Sequence, residues 1–226
     1  MNNFQTKFKK ILDILKQFEP KSNFLNQKRL LRLSDIELIA VDLTAESFSI
    51  DSEHQLFRDL PETISSKIER SVYNGRRRKL FFVKEQIRKA LSEKLISSEN
   101  YFIVDSMPLE VCKLSRSSRT TICKEDYLTS PSRGYCASQK MDFYGYKLHA
   151  VCSSNGVFCD FELTQAAVHD IHYLKNIKTN FSSCVLLGDK GYLSAEYQLD
   201  LFTSNNIRLE VPMRINQHNY KNNLIC

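Results

Sequence analysis

The sequence lacks the features that mark most specialised classes of protein. No stretch of its 226 residues approaches the ~18–20 consecutive apolar residues that cross a bilayer. The opening MNNFQTKFKKILDILKQFEP interrupts its apolar residues with charge every few positions. It has neither the unbroken apolar region nor the small-residue cleavage site of a secretory signal. The seven cysteines (Cys112, Cys123, Cys136, Cys152, Cys159, Cys184 and Cys226) are odd in number, irregularly spaced and without a CxxC pair. That argues against a disulfide framework or a zinc ribbon, and for reduced thiols in a cytoplasm. The GxxxxGK[ST] phosphate loop, the GxGxxG fingerprint, the GxSxG elbow and HExxH spacing are all missing. No internal repeat or low-complexity tract is present, and membrane, secreted and collagen-like classes are excluded.

What remains has the composition of a globular protein, 42% hydrophobic and 26% charged, long enough for one large domain or two modest ones. Its charge is uneven. Residues 1–100 hold 19 Lys/Arg against 14 Asp/Glu, whereas residues 101–226 hold 13 against 12. Much of the excess lies in Arg76, Arg77, Arg78 and Lys79, flanked by Arg70, Lys84, Arg88 and Lys89. Such a run suits a phosphate backbone, where each neutralised phosphate releases counterions. It equally suits a solvated helix face.

Phe4, Phe8, Ile11, Leu12, Leu15 and Phe18 fall at helical spacing before Pro20, which predicts an amphipathic helix over 4–18. Ser34 with Glu37 reads as a capping box opening a helix over 34–46. A short helix near 54–60 ends at Pro61, and a longer one over 63–96 is expected to break at Asn74-Gly75. The texture then changes. Short apolar runs predict strands at 101–104, 144–151, 157–163, 184–187 and 207–211, with helices near 170–179 and 194–204. Residues 113–142 are polar and irregular. The expectation is an α/β or α+β sheet domain preceded by helices, dividing near residue 98.

Two of the strands close on an aspartate, in FIVDS at Asp105 and VLLGDKGY at Asp189. Charged residues there sit at the sheet rim, where ligands bind in α/β folds. Neighbouring strands would let both carboxylates share divalent cations; two unrelated caps or turn residues are the alternative. Lys190 could touch a phosphate, and Tyr192 could stack on a base or pack in the core. His169 and His172 around Asp170 could form a zinc corner, although a helix start in which Asp170 caps the turn is more economical.

In order, FIVDSMPLEVC, GYCASQKMDFYGYKLHAVCSSNGVFCDFELTQAAVHD and LLGDKGYLS resemble the DDE transposases of bacterial insertion sequences, and YNGRRRKL in the helical part resembles the same branch. The likeness runs over about residues 101–220. It implies a ribonuclease-H-like mixed sheet over 99–226, after an all-helical DNA-binding module over 1–98. It further implies Mg²⁺ or Mn²⁺ on catalytic Asp105 and Asp189, and DNA contacts from Arg76, Arg77, Arg78, Lys79, Lys147 and Lys190. Tyr146, Lys147 and His149 match the YKLH segment; His169 and Asp170 match the motif before the second catalytic strand, and Tyr192 supports the site. The implied activity is binding of element-end DNA, strand cleavage and strand transfer, as a homo-oligomer on DNA in a bacterial cytoplasm, associated with the nucleoid. The family's third carboxylate is a Glu on a helix beyond the last strand. Residues 211–226 contain no Asp or Glu, Glu196 comes too early and Glu210 belongs to a strand. The expectation is therefore a catalytic domain incomplete at its C-terminus, truncated or frameshifted. Two alternatives stand beside it: a non-catalytic DNA-binding protein derived from a truncated transposase, and a hydrolase built on Asp170, His169 and His172.

Overall fold

The computed structural model describes residues 3–20, 23–26 and 31–212. It divides into two compact units, Met1–Leu91 and Ser92–Cys226. The division falls inside a helix, a few residues before the boundary expected near 98.

The first unit is helical: α1 (Asn3–Leu15), α2 (Asp35–Ser47), α3 (Glu53–Asp59), α4 (Glu62–Ser65), α5 (Arg70–Lys79) and the first part of α6 (Phe81–Leu95). α1 buries Phe4, Phe8 and Leu15 as its spacing requires. α2 opens on the expected capping box, with Ser34 accepting from the Glu37 N–H and Glu37 accepting from the Ser34 N–H. It is buried on nearly every side, and that burial includes the charges of Asp35 and Asp42. A buried carboxylate needs a partner. Asp35 accepts from Arg76; Asp42 accepts from Lys84 at 2.6 Å, Arg77 at 2.8 Å and the Tyr73 hydroxyl at 3.0 Å.

These pairs correct two expectations. Asn74-Gly75 does not break the helix, because α5 runs through it and the interruption comes at buried Leu80. Nor is the basic run a uniform solvated face. Arg76 is buried, binding Asp35 and the Leu33 carbonyl, and Arg77 is shared between Asp42 and Glu53. Only Arg78 and Lys79 are exposed. Helical periodicity places every fourth residue inward, and here the inward position is Arg76.

The second unit carries one mixed sheet: β1 (Tyr101–Cys112), β2 (Ser132–Cys136), β3 (Met141–Ser153), β4 (Phe158–Gln165), β5 (Val185–Gly188) and β6 (Arg208–Glu210). Its order is β2-β3-β1-β5-β6, with β4 pairing β3 along the same edge as β2. β1, β3 and β4 are antiparallel, while β5 and β6 add in parallel on the other side of β1. This is the ribonuclease-H-like arrangement expected. Two short helices, α7 (Leu174–Ile177) and α8 (Ala195–Asn205), supply Leu174, Ile177 and Leu201 to a core with Phe102, Val104, Val151 and Leu186. β1 does not stop at Asp105 as expected, because β3 keeps pairing with it as far as Cys112. β2 was not expected at all. The position of the third carboxylate, expected beyond the last strand, falls on residues outside those described.

The Arg76 pair has a measurable consequence. Arg76→Ala leaves the Asp35 charge buried and unpaired, which should cost ~3–5 kcal/mol of stability in urea melts. Arg78→Ala with Lys79→Ala should stay within ~0.5 kcal/mol for each change. Equal losses in the two proteins would contradict the pairing.

Candidate active site

The parallel ladder of β1 on β5 sets the site. Its register is Tyr101 to Val185, Phe102 to Leu186, Ile103 to Leu187 and Val104 to Gly188. The next step sets Asp105 opposite Asp189. Side chains alternate along a strand, so both aspartates continue the exposed row of Ile103 and Leu187, and both are exposed. The two strands are neighbours, as the shared pattern predicts.

Local hydrogen bonds fix each carboxylate. Asp105 Oδ1 accepts from the Ser106 N–H at 2.7 Å. Asp189 caps the 3₁₀ turn Lys190–Tyr192, where its Oδ1 accepts from the Gly191 N–H at 2.7 Å. Asp189 is thus both a rim residue and a cap, so the two readings of it do not exclude one another.

Asp170 joins them. It begins a 3₁₀ turn, Asp170–Tyr173, whose cap is His169: Nδ1 accepts from the Ile171 N–H at 3.3 Å. The expected capping role therefore belongs to His169. Asp170 Oδ1 accepts from Lys147 Nζ at 3.0 Å, and the same ammonium donates to the Val168 carbonyl at 2.9 Å. Lys147 was expected on DNA, but it is largely buried and committed to this pair. The other Asp170 oxygen turns toward Asp189. A Cβ placed on Gly191 would stand 2.9 Å from Asp189 Oδ1 and 3.0 Å from Asp170 Oδ2, so both oxygens close on one point and a larger residue would have to push them aside.

Beneath the rim lies a buried polar strut. Tyr192 has no solvent exposure and belongs to the core, which removes it as a stacking platform for a base. Its hydroxyl meets His149 Nδ1 at 3.2 Å and is also hydrogen-bonded by Ser106, the neighbour of Asp105. Burial, then the charges of Asp170, Asp105 and Asp189, push its pKa far up, so it stays protonated. His149 Nε2 meets Thr164 Oγ1 at 2.8 Å, and the ring stacks on Tyr173 at 5.0 Å. Burial lowers the His149 pKa and favours the neutral ring. Lys190 is exposed beside Asp189.

The donor set is hard oxygen, which suits Mg²⁺ or Mn²⁺ better than zinc. Among the described residues no group of three or more His, Cys, Asp or Glu is disposed to hold a metal ion. Mg²⁺ is commonly bound by one or two carboxylates, with water and substrate phosphate completing its shell, so Asp105 and Asp189 fit such an ion in type and number. The hydrolase alternative fares worse, since His169 is occupied as a cap. Sequence reasoning missed Ser106 and Thr164, and it noted Gly191 only as a bend. The glycine next to Asp189 was the available signal.

Two outcomes follow from this geometry. Gly191→Ala should push apart the Asp170 and Asp189 oxygens and weaken Mn²⁺ binding in calorimetry; unchanged binding would contradict the cradle. His149 has a folded pKa below its unfolded value of ~6.5, so acid protonates the unfolded chain first. Its contribution to stability is therefore complete above pH ~6.5 and lost as the pH falls through the folded value. Urea midpoints of His149→Gln should decline less between neutral and acidic pH than those of the wild type.

No curated protein matches the chain. Among solved structures, it is similar to one described as Mos1 transposase paired-end complex with left transposon end, at 14% sequence identity and a TM-score of 0.28. That match covers 87% of this chain and 64% of the other, and it is too distant to bear on mechanism. The family model for the transposase DDE domain matches residues 97–225, more than half of the sequence, and the chain belongs to that family.

Proposed function

We propose that this protein acts in DNA transposition by binding element-end DNA and cutting and joining its strands at the rim formed by Asp105 and Asp189. The observation that carries the reading is the β1–β5 register, whose last pair, Val104 with Gly188, comes immediately before the two aspartates. Asp105 and Asp189 would hold Mg²⁺ or Mn²⁺. Such an ion supplies Lewis acidity toward a phosphoryl oxygen and makes water a better nucleophile. The chain's own residues do the positioning. The Ser106 N–H and the Gly191 N–H orient the two carboxylates, Lys147 fixes Asp170 beside them, and exposed Lys190 is placed to meet a phosphate. In the first step water attacks phosphorus, the P–O3′ bond breaks, and the leaving oxygen takes a proton. The freed 3′-hydroxyl then gives up its proton and attacks a second phosphodiester, whose own P–O3′ bond breaks and whose leaving oxygen takes a proton. DNA ends are brought together by a homo-oligomer of the chain.

Among the described residues Asp170 stands beside the rim, yet it is already ion-paired with Lys147. Two free rim acids hold ions less firmly than three, and a displacement of ~1 Å from reactive geometry costs ~10²-fold in rate. The 226-residue chain should therefore bind Mn²⁺ and DNA but nick duplex DNA only weakly in the presence of Mg²⁺. Asp105→Asn or Asp189→Asn should abolish both Mn²⁺ binding in calorimetry and the residual nicking. Metal binding that survives both substitutions would place the ion elsewhere. Intact metal binding with no nicking under any condition would favour the non-catalytic DNA-binding reading.

A further inference from the structure

The corrected placement of Arg76, Arg77 and Lys147 leaves open which basic residues of the catalytic unit meet DNA. Residues 113–140 contain six Lys/Arg and two Asp/Glu, an excess of four in a region, 101–226, whose total excess is one. All six (Lys113, Arg116, Arg119, Lys124, Arg133 and Lys140) are exposed. Arg133 pairs with Asp142 at 2.7 Å, and Lys124 stands over the Tyr144 ring. The other four form no ion pair among the described residues.

This segment is held in place. β1 runs on past Asp105 to Cys112, paired with β3, which pairs in turn with β2, so an antiparallel arm extends beyond the end of β5. The connection between β1 and β2 is tied back at its far end. Tyr146 donates to the Thr129 carbonyl at 2.8 Å, Gln165 to the Ser130 carbonyl at 2.7 Å, and the Ala167 N–H to Ser132 Oγ at 2.8 Å. Asp126 Oδ1 accepts from the Leu128 N–H and turns the chain there, leaving Tyr127 89% and Leu128 80% exposed. An aromatic side chain that exposed lacks any packing role within the fold.

We propose that residues 113–140 form a DNA-gripping arm, in which Lys113, Arg116, Arg119 and Lys140 contact backbone phosphates and Tyr127 stacks on unpaired or distorted bases. The proposal rests on the DNA-processing reading of the Asp105–Asp189 rim and names the surface that holds the substrate there. The charge argument is specific to a polyanion. The rim is acidic and by itself repels DNA, so an approaching duplex needs compensating cations nearby. At ~3.4 Å per residue the arm extends roughly 20–25 Å from Asp105 to Cys112, which sets its phosphate contacts about six or seven base pairs from the phosphate being cut. Exposed aromatics beside basic residues are the usual platform for unpaired bases.

The test is fluorescence anisotropy of the full chain with a labelled duplex and with a single strand, over graded salt. Arg116→Ala/Arg119→Ala/Lys140→Ala should bind the duplex about tenfold or more weakly. It should also flatten the slope of log affinity against log salt by up to ~2.7, at ~0.9 per lost phosphate. Tyr127→Ala should weaken single-strand binding and leave the salt slope unchanged. Thermal melts matching the wild type establish that the fold is intact. If the alanine protein melts early, Arg116→Gln/Arg119→Gln removes two of the charges while keeping polar side chains, and should flatten the slope by up to ~1.8. A wild-type slope in these variants, with the wild type binding DNA, would overturn the arm and leave the transposition reading standing. A wild-type chain that binds no DNA would overturn both.

Discussion

The short parallel ladder between β1 and β5 is the constraint on which the rim depends. Only four residue pairs make it, yet it sets Asp105 level with Asp189. A slip of one residue would turn the whole apolar set of β5 to the opposite face, bringing Leu187 into the core and Leu186 out of it. The hydrophobic requirement of Phe102, Val104 and Leu186 against Ile177 and Leu201 therefore selects the same register that aligns the acids. Core packing and the alignment of the two acids are one condition, not two.

The second support runs through the turn after β5. Gly188 packs against Val104 and Tyr192, and Tyr192 reaches His149 on β3 and Ser106 on β1. The turn that carries Asp189 is thereby tied to the strand that carries Asp105. Each polar atom of the strut has a partner, which is the condition for burying such a network without loss. Asp170, held by Lys147, closes the same turn from the side of the helices. The rim aspartates face solvent, while Tyr192 and His149 beneath them are buried.

How much of this could be read from the sequence depended on range. Short-range signals were legible: the Ser34–Glu37 capping box, the Pro20 stop after the first helix, and the apolar runs closing on Asp105 and Asp189. Long-range pairing was not. Nothing local distinguishes Arg76 from Arg78, and the difference lies in Asp35, some forty positions earlier. Lys147 looks like a free cation until Asp170 folds against it. β2, with the sequence SRGYC, has little apolar alternation of its own and exists because β3 offers it an edge. The length of β1 was underestimated for the same reason, since its second half is exposed and polar and only its partner marks it as a strand.

Charge shows the same limit. An ion pair leaves net charge unchanged, so the excess of residues 1–100 survives the pairing of Arg76 and Arg77, but its location does not. With those two arginines balancing Asp35 and Asp42, the remaining cations of the helical unit are dispersed, as Lys9 and Lys10 on α1 and Arg78 and Lys79 on α5 illustrate. In the sheet unit the total is near neutral because acids at the rim and on the outer strands offset cations gathered in residues 113–140. A polyanion responds to the local field within about a Debye length, ~8–10 Å in physiological salt, and not to the sum over the chain. The unit with the smaller net charge thus carries a concentrated cationic segment of its own.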